Sequence, residues 1–453
     1  SEMCIRDSCD VALIGHRDDA RPTGLLIGRH GSPMKRTRLG THTGRHGEIS
    51  RTTTTTMALT TGNALIPMAD QHHITVISLT SGGRDYRDGP AAQARFYIPW
   101  GIAVLLSGSV LVVDYYNNCI RMISADGKEV STVAGTDQEG HQDGSAAQAR
   151  FSFPTAVVVL SDGRILIADR RNHRICMLSA DLQQVTTVAG NGTPGYRDGA
   201  AAQATFDCPR GLVVLPDGRV LVSQNHCIRV LSADLQEVTT VAGTGEAGHH
   251  DGPGVEARFN DPHCMLVLPD NRVLVADWGN DRICVLSADL QEVTTVAGDG
   301  ERGHRDGAAA QARFFGPSGL ALLFDGSVLV AEENNDSIRM LSADLQQVTT
   351  VVGGGGEGHT DGVAAAATLL CPDGLLSLPD GRVVVATPGR IRVLEGFPPA
   401  ERDSKPAAKA VPLRAAAAAG PSRARSARRR ARRSRCSRCS RACRHRASAA
   451  ETR

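Results

Sequence analysis

Glu237–Phe259, EVTTVAGTGEAGHHDGPGVEARF, joins a β-branched run, a glycine-rich passage and an Asp-Gly turn. The same arrangement occurs six times along the chain. Its Asp-Gly aspartates are Asp88, Asp143, Asp198, Asp251, Asp306 and Asp361, so neighbouring copies lie 55, 55, 53, 55 and 55 residues apart. Self-similarity at so fixed a period marks a repeat architecture and outranks any local reading of secondary structure.

The residues after this stretch show what one copy builds. Cys264–Leu268 (CMLVL) is an apolar run followed by a turn at Pro269–Arg272, and Val273–Trp278 (VLVADW) is a second run. Arg282–Ser287 (RICVLS) is a third and Glu292–Gly298 (EVTTVAG) a fourth, with short polar turns between them. Four strands of about 5–6 residues joined by turns of 3–5 predict an antiparallel meander. One such sheet buries too little to stand alone, whereas sheets stacked radially cover each other's faces. Each copy also carries a long loop of about 15 residues, longer than most connections.

The strand count predicts how the ring closes. The sixth copy supplies Gly374–Leu378, Val383–Thr387 and Arg390–Glu395 and stops one strand short. An orphan strand, Ile74–Leu79 (ITVISL), precedes the first copy and leads into glycines as the fourth strands do. It should complete the sixth sheet and remove the open edges of a linear array. The expectation is an all-β fold: a six-bladed β-propeller of four-stranded antiparallel blades over 72–396, closed by strand 74–79.

The unit FNDPHCMLVLPDNRVLVADWGNDRICVLSADLQEVTTVAG, Phe259–Gly298, resembles the NHL repeat family. The likeness lies in the Pro before the first strand, the Asn after a strand-ending acid, and the Arg-Ile opening the third strand. It extends over about 320 residues and all six copies, and resembles the subgroup with a long GxxGxxDGxxxxAxF loop. The resemblance implies a six-bladed propeller that serves more often as a binding platform than as an enzyme. The alternative it implies is a metal-dependent enzyme of the gluconolactonase/regucalcin or peptidylglycine-lyase type, with a divalent metal in the pore. Neither constellation of that alternative maps onto this sequence residue by residue.

Charge divides the chain. Residues 57–400 hold 24 Lys+Arg against 39 Asp+Glu, residues 401–453 hold 17 against 3, and residues 1–56 hold 9 against 6. An acidic body and a basic tail point to different partners for each, or to mutual attraction. Residues 1–71 show no sustained period and read as disordered or non-native sequence, with Met57 a candidate start. The segment 397–453, rich in Ala, Arg and Ser, reads as a disordered basic tail. Its stretch Arg423–Arg446 carries twelve arginines and no acid, the composition of a nucleic-acid-binding or nuclear-localisation arm. Cys436, Cys439, Cys443 and His445 have ligand chemistry for zinc but no apolar scaffold around them. No apolar run reaches the length of a membrane span. The cysteines of the repeats trade places with Met, Val or Arg, which suits reduced thiols and a cytoplasmic or nuclear monomer.

Catalytic signatures (GxSxG, GxxxxGK[ST], HExxH) are missing from the sequence, and no catalytic residue or cofactor is assigned. Tyr86, His141, Tyr196, His249, His304 and His359 share one loop position. Equivalent residues in a six-bladed ring stand roughly 60° apart, so these are read as plates under the loops and not as one metal site. The Asp-Gly pairs read as turns, and Asp114/Asn117, Asp169/Asn172, Asp277/Asn280 and Glu332/Asn335 as side-chain clasps. One position differs in kind from copy to copy. The residue after the Pro that precedes each first strand is Trp100, Thr155, Arg210, His263, Ser318 and Asp373. Divergence inside a regular frame is what an asymmetric site on a symmetric scaffold requires, so these six are the candidate binding residues. They should ring one mouth of the central channel, with Arg210 facing Asp373 and Trp100 facing His263, and meet a protein partner there.

Overall fold

The computed structural model describes residues 74–354 and 356–400. The readings made for residues 1–73 and for the basic tail 401–453 lie outside the described residues. The described chain forms six antiparallel sheets, one for each sequence copy. Blade 1 contains Pro99–Val104, Val110–Asp114, Cys119–Ile123 and Glu129–Ala134, and the other five repeat this order. First strands of successive blades touch one another, and the sixth touches the first, so the ring is closed.

Closure runs through the orphan strand. Thr75–Ser78 pairs antiparallel with Arg390–Glu395, Thr75 opposite Glu395 and Ser78 opposite Arg392. The Asp361 carboxylate also accepts the Ser78 backbone N–H at 2.9 Å and the Ser78 hydroxyl at 3.0 Å. Segments more than 280 residues apart in sequence are thus tied into one blade.

Each blade has five strands where the sequence predicted four. The extra one is a two-residue piece of the long loop, Gly89–Pro90 in blade 1, laid against the fourth strand with Gly89 opposite Val130. The loop aspartate explains this. Asp88 accepts the backbone N–H of Thr132 at 3.0 Å, which holds the loop alongside that strand, while Gly89 takes a φ of +114° that a side chain would resist. Such local pairing leaves little trace in hydrophobic periodicity.

Burial follows composition. The second strands, such as Val110–Asp114 and Ile165–Asp169, are buried along their whole length, as continuous apolar runs covered on both faces. Fourth strands such as Glu237–Ala242 alternate at first between exposed and buried, as a half-covered strand does. The seams between blades are filled from the long loop. Phe151, fully buried, packs with Leu111 and Val113 of blade 1 and with Val157 and Ile165 of blade 2. Phe96, Phe206, Phe259 and Phe314 are equally buried in other seams. The repeated A-x-F is therefore core.

Inside each blade lies a polar layer that the sequence did not announce. Arg121, Arg229, Arg339 and Arg392 are fully buried third-strand residues. The Arg121 guanidinium donates to Asp88 at 2.9 Å through Nε and to Asp114 at 2.8 Å through Nη1, joining the loop aspartate to the acid that ends the second strand. Tyr86 covers that guanidinium, with its ring centroid 4.7 Å away. In blade 1 the loop aromatic is thus a plate over this layer. The clasp reading also holds: Asn117 donates to Asp114 at 2.9 Å, Asn172 to Asp169 at 2.7 Å, Asn280 to Asp277 at 2.6 Å and Asn335 to Glu332 at 2.8 Å.

Cys119, Cys176, Cys227, Cys264 and Cys284 carry free thiols; Cys208 and Cys371 are not among them. Among the described residues, no helix is long and apolar enough to cross a membrane.

Candidate binding site at the channel mouth

Local backbone geometry aims two sets of side chains at one end of the channel. Four of the six second strands, those of blades 1, 2, 4 and 5, end in a tight turn closed by a left-handed residue: Asn118 (φ +51°), His173 (+53°), Asp281 (+54°) and Asp336 (+52°). Asn, Asp and His tolerate that conformation better than most residues. Several of these side chains then cap the next blade. Asn118 accepts the Phe153 N–H at 2.9 Å, His173 Nδ1 accepts that of Cys208 at 3.2 Å, and Asp281 accepts that of Gly316 at 2.8 Å. The turn and the start of the neighbouring first strand are therefore held together at every such seam.

The predicted mouth residues come together in part. Trp100 and His263, from opposite blades, approach with ring centroids 6.1 Å apart. Arg210 and Asp373, also from opposite blades, interact electrostatically. Thr155 and Ser318 instead belong to the wall. Thr155 is buried and its hydroxyl donates to the backbone carbonyls of Pro209 at 3.2 Å and Arg210 at 2.8 Å. Ser318 is fully buried and donates to the Pro372 carbonyl at 3.2 Å. A short hydroxyl at these positions reaches the adjoining inner strand, so packing rather than ligand choice accounts for them.

The mouth also contains residues that sequence reasoning missed. The residue after each second strand is Tyr115, Arg170, Asn225, Trp278, Glu333 or Pro388, a series as divergent as the one used for prediction. Four of them join the cluster. Tyr115 lies 4.3 Å from Trp100 between ring centroids and receives a 2.6 Å hydrogen bond from Arg170. Trp278 stacks on His263 at 5.2 Å and donates its indole N–H to Glu333 at 2.9 Å. Arg210 and Arg170 stand 5.9 Å and 6.0 Å from the Trp100 ring. Asp261, just before a first strand, accepts a 2.6 Å hydrogen bond from Arg210. The divergence test would have found the second series had it been applied to every repeat position.

The electrostatics are those of a dry, charged mouth. Burial works against the Asp261 carboxylate, yet the adjacent Arg210 guanidinium holds its pKa well below the usual range. Burial, reinforced by Arg210, lowers His263 to about 4, so the imidazole is neutral at physiological pH. Its buried Nε2 stands 3.6 Å from the Asp261 carboxylate, just beyond ordinary hydrogen-bond reach. Burial raises both Glu333 and Asp373, and Glu333 adds its own repulsion to Asp373. Cations, carboxyls, an imidazole and three aromatic rings thus share one small, poorly solvated space, where each interaction gains strength.

Comparison with known proteins agrees with this architecture. The NHL repeat profile matches residues 96–121 and 151–176. NHL repeat-containing protein 2 of Bos taurus is 29% identical over 338 residues, covering 63% of this chain and 46% of that protein. The Arabidopsis thaliana protein SUPPRESSOR OF QUENCHING 1, chloroplastic, is 28% identical over 281 residues, covering 58% of this chain and 26% of its own length. The chain therefore spans less than half the length of either relative. A Bacteroides thetaiotaomicron VPI-5482 protein of unknown function shares the fold, with a TM-score of 0.56 at 19% identity over 71% of this chain and 75% of its own.

Proposed function

Because this chain belongs to the NHL repeat family, we propose that it is a non-catalytic platform whose channel mouth binds a segment of a protein partner. The observation that carries this reading is the convergence of divergent residues from five blades, Trp100, Arg210, His263, Glu333 and Asp373, on an otherwise repetitive ring. Aromatic and arginine side chains in desolvated pockets dominate binding energies. Paired cations and carboxyls would select an extended polar segment by charge complementarity.

The structure also guides the choice of test. Truncating Arg210 would strand the Asp261 carboxylate and weaken the fold itself. Trp100→Ala with Asp373→Asn removes the aromatic anchor and one of two crowded carboxyls while leaving the Arg210–Asp261 pair intact. Peptides selected from a displayed library on the full chain should lose about 2 kcal/mol, roughly thirtyfold in Kd, on this double variant. Unchanged affinity across all selected peptides would place binding elsewhere.

The arginine run Arg423–Arg446 supports a separate electrostatic contact with polyanions such as RNA or DNA, acting by counterion release. Truncation after residue 400 should abolish salt-sensitive retention on immobilised RNA; equal retention of both chains would remove this part of the reading.

A further inference from the structure

Blades 2 and 4 break the rule of the buried arginine. Their third strands open Arg174-Ile175-Cys176 and Arg282-Ile283-Cys284, where blades 1 and 3 open Cys119-Ile120-Arg121 and Cys227-Ile228-Arg229. Cysteine and arginine have exchanged places. The displaced guanidiniums no longer meet the carboxylates of the polar layer. Arg174 donates to the backbone carbonyls of Asn172 at 3.2 Å and Asn191 at 3.1 Å, and Arg282 to those of Asn280 at 3.4 Å and Asp299 at 3.0 Å.

The carboxylates have stayed. Blade 2 keeps the loop acid Asp143 and the strand-end acid Asp169, and blade 4 keeps Asp251 and Asp277. Blades 3 and 6 make the contrast clear. There the strand-end acid has become Gln224 or Thr387, yet Arg229 and Arg392 remain. Blades 2 and 4 are thus the two in which a pair of acids faces a layer without its guanidinium, and in both a thiol stands in its place. A histidine completes each group: the ligand atoms of His141, Asp169 and Cys176 all lie within 4.8 Å of one another, as do those of His249, Asp277 and Cys284.

We infer that blades 2 and 4 each hold a divalent cation of the zinc class, bound by His141, Asp169 and Cys176 in one and by His249, Asp277 and Cys284 in the other. The ion takes the place of the missing guanidinium. Nitrogen, oxygen and thiolate donors together suit zinc, whose ligands stand at about 2.0–2.3 Å, so the side chains close inward by roughly an ångström. Three protein ligands leave a fourth position on the outer side, where His141 is exposed and Asp251 Oδ1 lies 4.0 Å from His249 Nε2. Supporting contacts already orient the ligands. Asn172 and Asn280 donate to the two carboxylates at 2.7 and 2.6 Å, and the hydroxyls of Thr187 and Thr295 lie 3.9 and 3.8 Å from the sulfurs. Such second contacts set ligand geometry and affinity. Binding displaces the thiol proton to solvent, leaving a thiolate on the metal.

This arrangement is independent of the channel mouth. It also differs from a site made by the loop histidines of all six blades, because each histidine works with residues of its own blade.

Cobalt(II) is the probe, since its thiolate complexes show a charge-transfer band in the near ultraviolet. The full chain, with Cys436, Cys439 and Cys443 replaced by Ser to silence the tail and Cys208 by Ser to silence a third group, His173, Asp207 and Cys208, is reduced, stripped with chelator and titrated. Two equivalents should bind with that band, one for each group. Cys176→Ser and Cys284→Ser should each remove about half of the band, and together all of it. Exchanging the pair, Arg174→Cys with Cys176→Arg, rebuilds the sequence order of blade 1 and should fold as the parent while losing one equivalent. Asp169→Asn, which keeps the thiol and the shape, should weaken the corresponding site at least tenfold. A parent chain without the band, or a band unchanged in the Cys176→Ser/Cys284→Ser chain, would overturn the assignment.

Discussion

Replacing Gly319 by Ala should destabilise the ring by about 3 kcal/mol or more, the upper range for overpacking a rigid interior. First strands approach so closely around the channel that a methyl group on Gly319 would overlap the Asp373 carbonyl oxygen of the next blade. The same holds for Gly211 against the His263 carbonyl and for Gly374 against that of Trp100. The obstructing atoms are backbone atoms of another inner strand, so no rotamer change relieves the overlap. Two blades would have to separate, and the ring transmits that strain because it has no open seam. Gly374→Ala acts where blade 6 meets blade 1 and should behave alike. Urea denaturation would measure the effect through its midpoint, and a change below about 0.5 kcal/mol would show that the inner strands are looser than described.

The second large effect concerns the buried arginines. Arg339 donates to Asp306 at 3.0 Å through Nε, to Glu332 at 3.0 Å through Nη1, and to the backbone carbonyls of Arg313 and Arg305 at 3.1 and 2.9 Å. Arg339 and Glu332 are both fully buried. Removing one member of such a pair leaves an uncompensated charge, and about 3–5 kcal/mol is the usual cost. Arg339→Met should therefore lower stability by that amount. Glu332→Gln added to it should recover part of the loss, because the stranded carboxylate is gone while the amide still serves the Phe315 N–H and Asn335. A double-mutant cycle reads this directly. Strict additivity of the two substitutions would contradict the coupling.

How far the sequence reveals this molecule depends on the range of the interaction concerned. The six-fold period, the strand order and the orphan strand at Thr75–Ser78 were legible because each blade repeats the same apolar pattern. The Asn117–Asp114 type of clasp was legible too, since its partners lie three residues apart. The fifth strand was not, because a two-residue pairing such as Gly89 with Val130 depends on one aspartate reaching a backbone N–H 44 residues away. The buried Arg121 was equally hidden, since an arginine in a strand reads as exposed until its two carboxylates are placed beside it.

The mouth was half legible. Divergence at one repeat position led to Trp100, Arg210, His263 and Asp373. It also gathered Thr155 and Ser318, whose hydroxyls serve the neighbouring backbone. Tyr115, Arg170, Trp278 and Glu333 were missed because the turn that carries them bends toward the axis only once the left-handed residue closing it is in place. The loop histidines were read as unable to converge with one another around the ring. His141 and His249 instead meet an acid and a thiol within their own blades, which becomes visible only when the third strand is set against its loop.

Hydrogen–deuterium exchange on the full chain, with and without a peptide selected on it, tests the central claim most directly. Binding at the mouth predicts protection confined to the starts of the inner strands and the turns beside them, residues 98–102, 113–117, 208–212, 261–265 and 371–375. Protection restricted to the outer loops, with those segments unchanged, would contradict it.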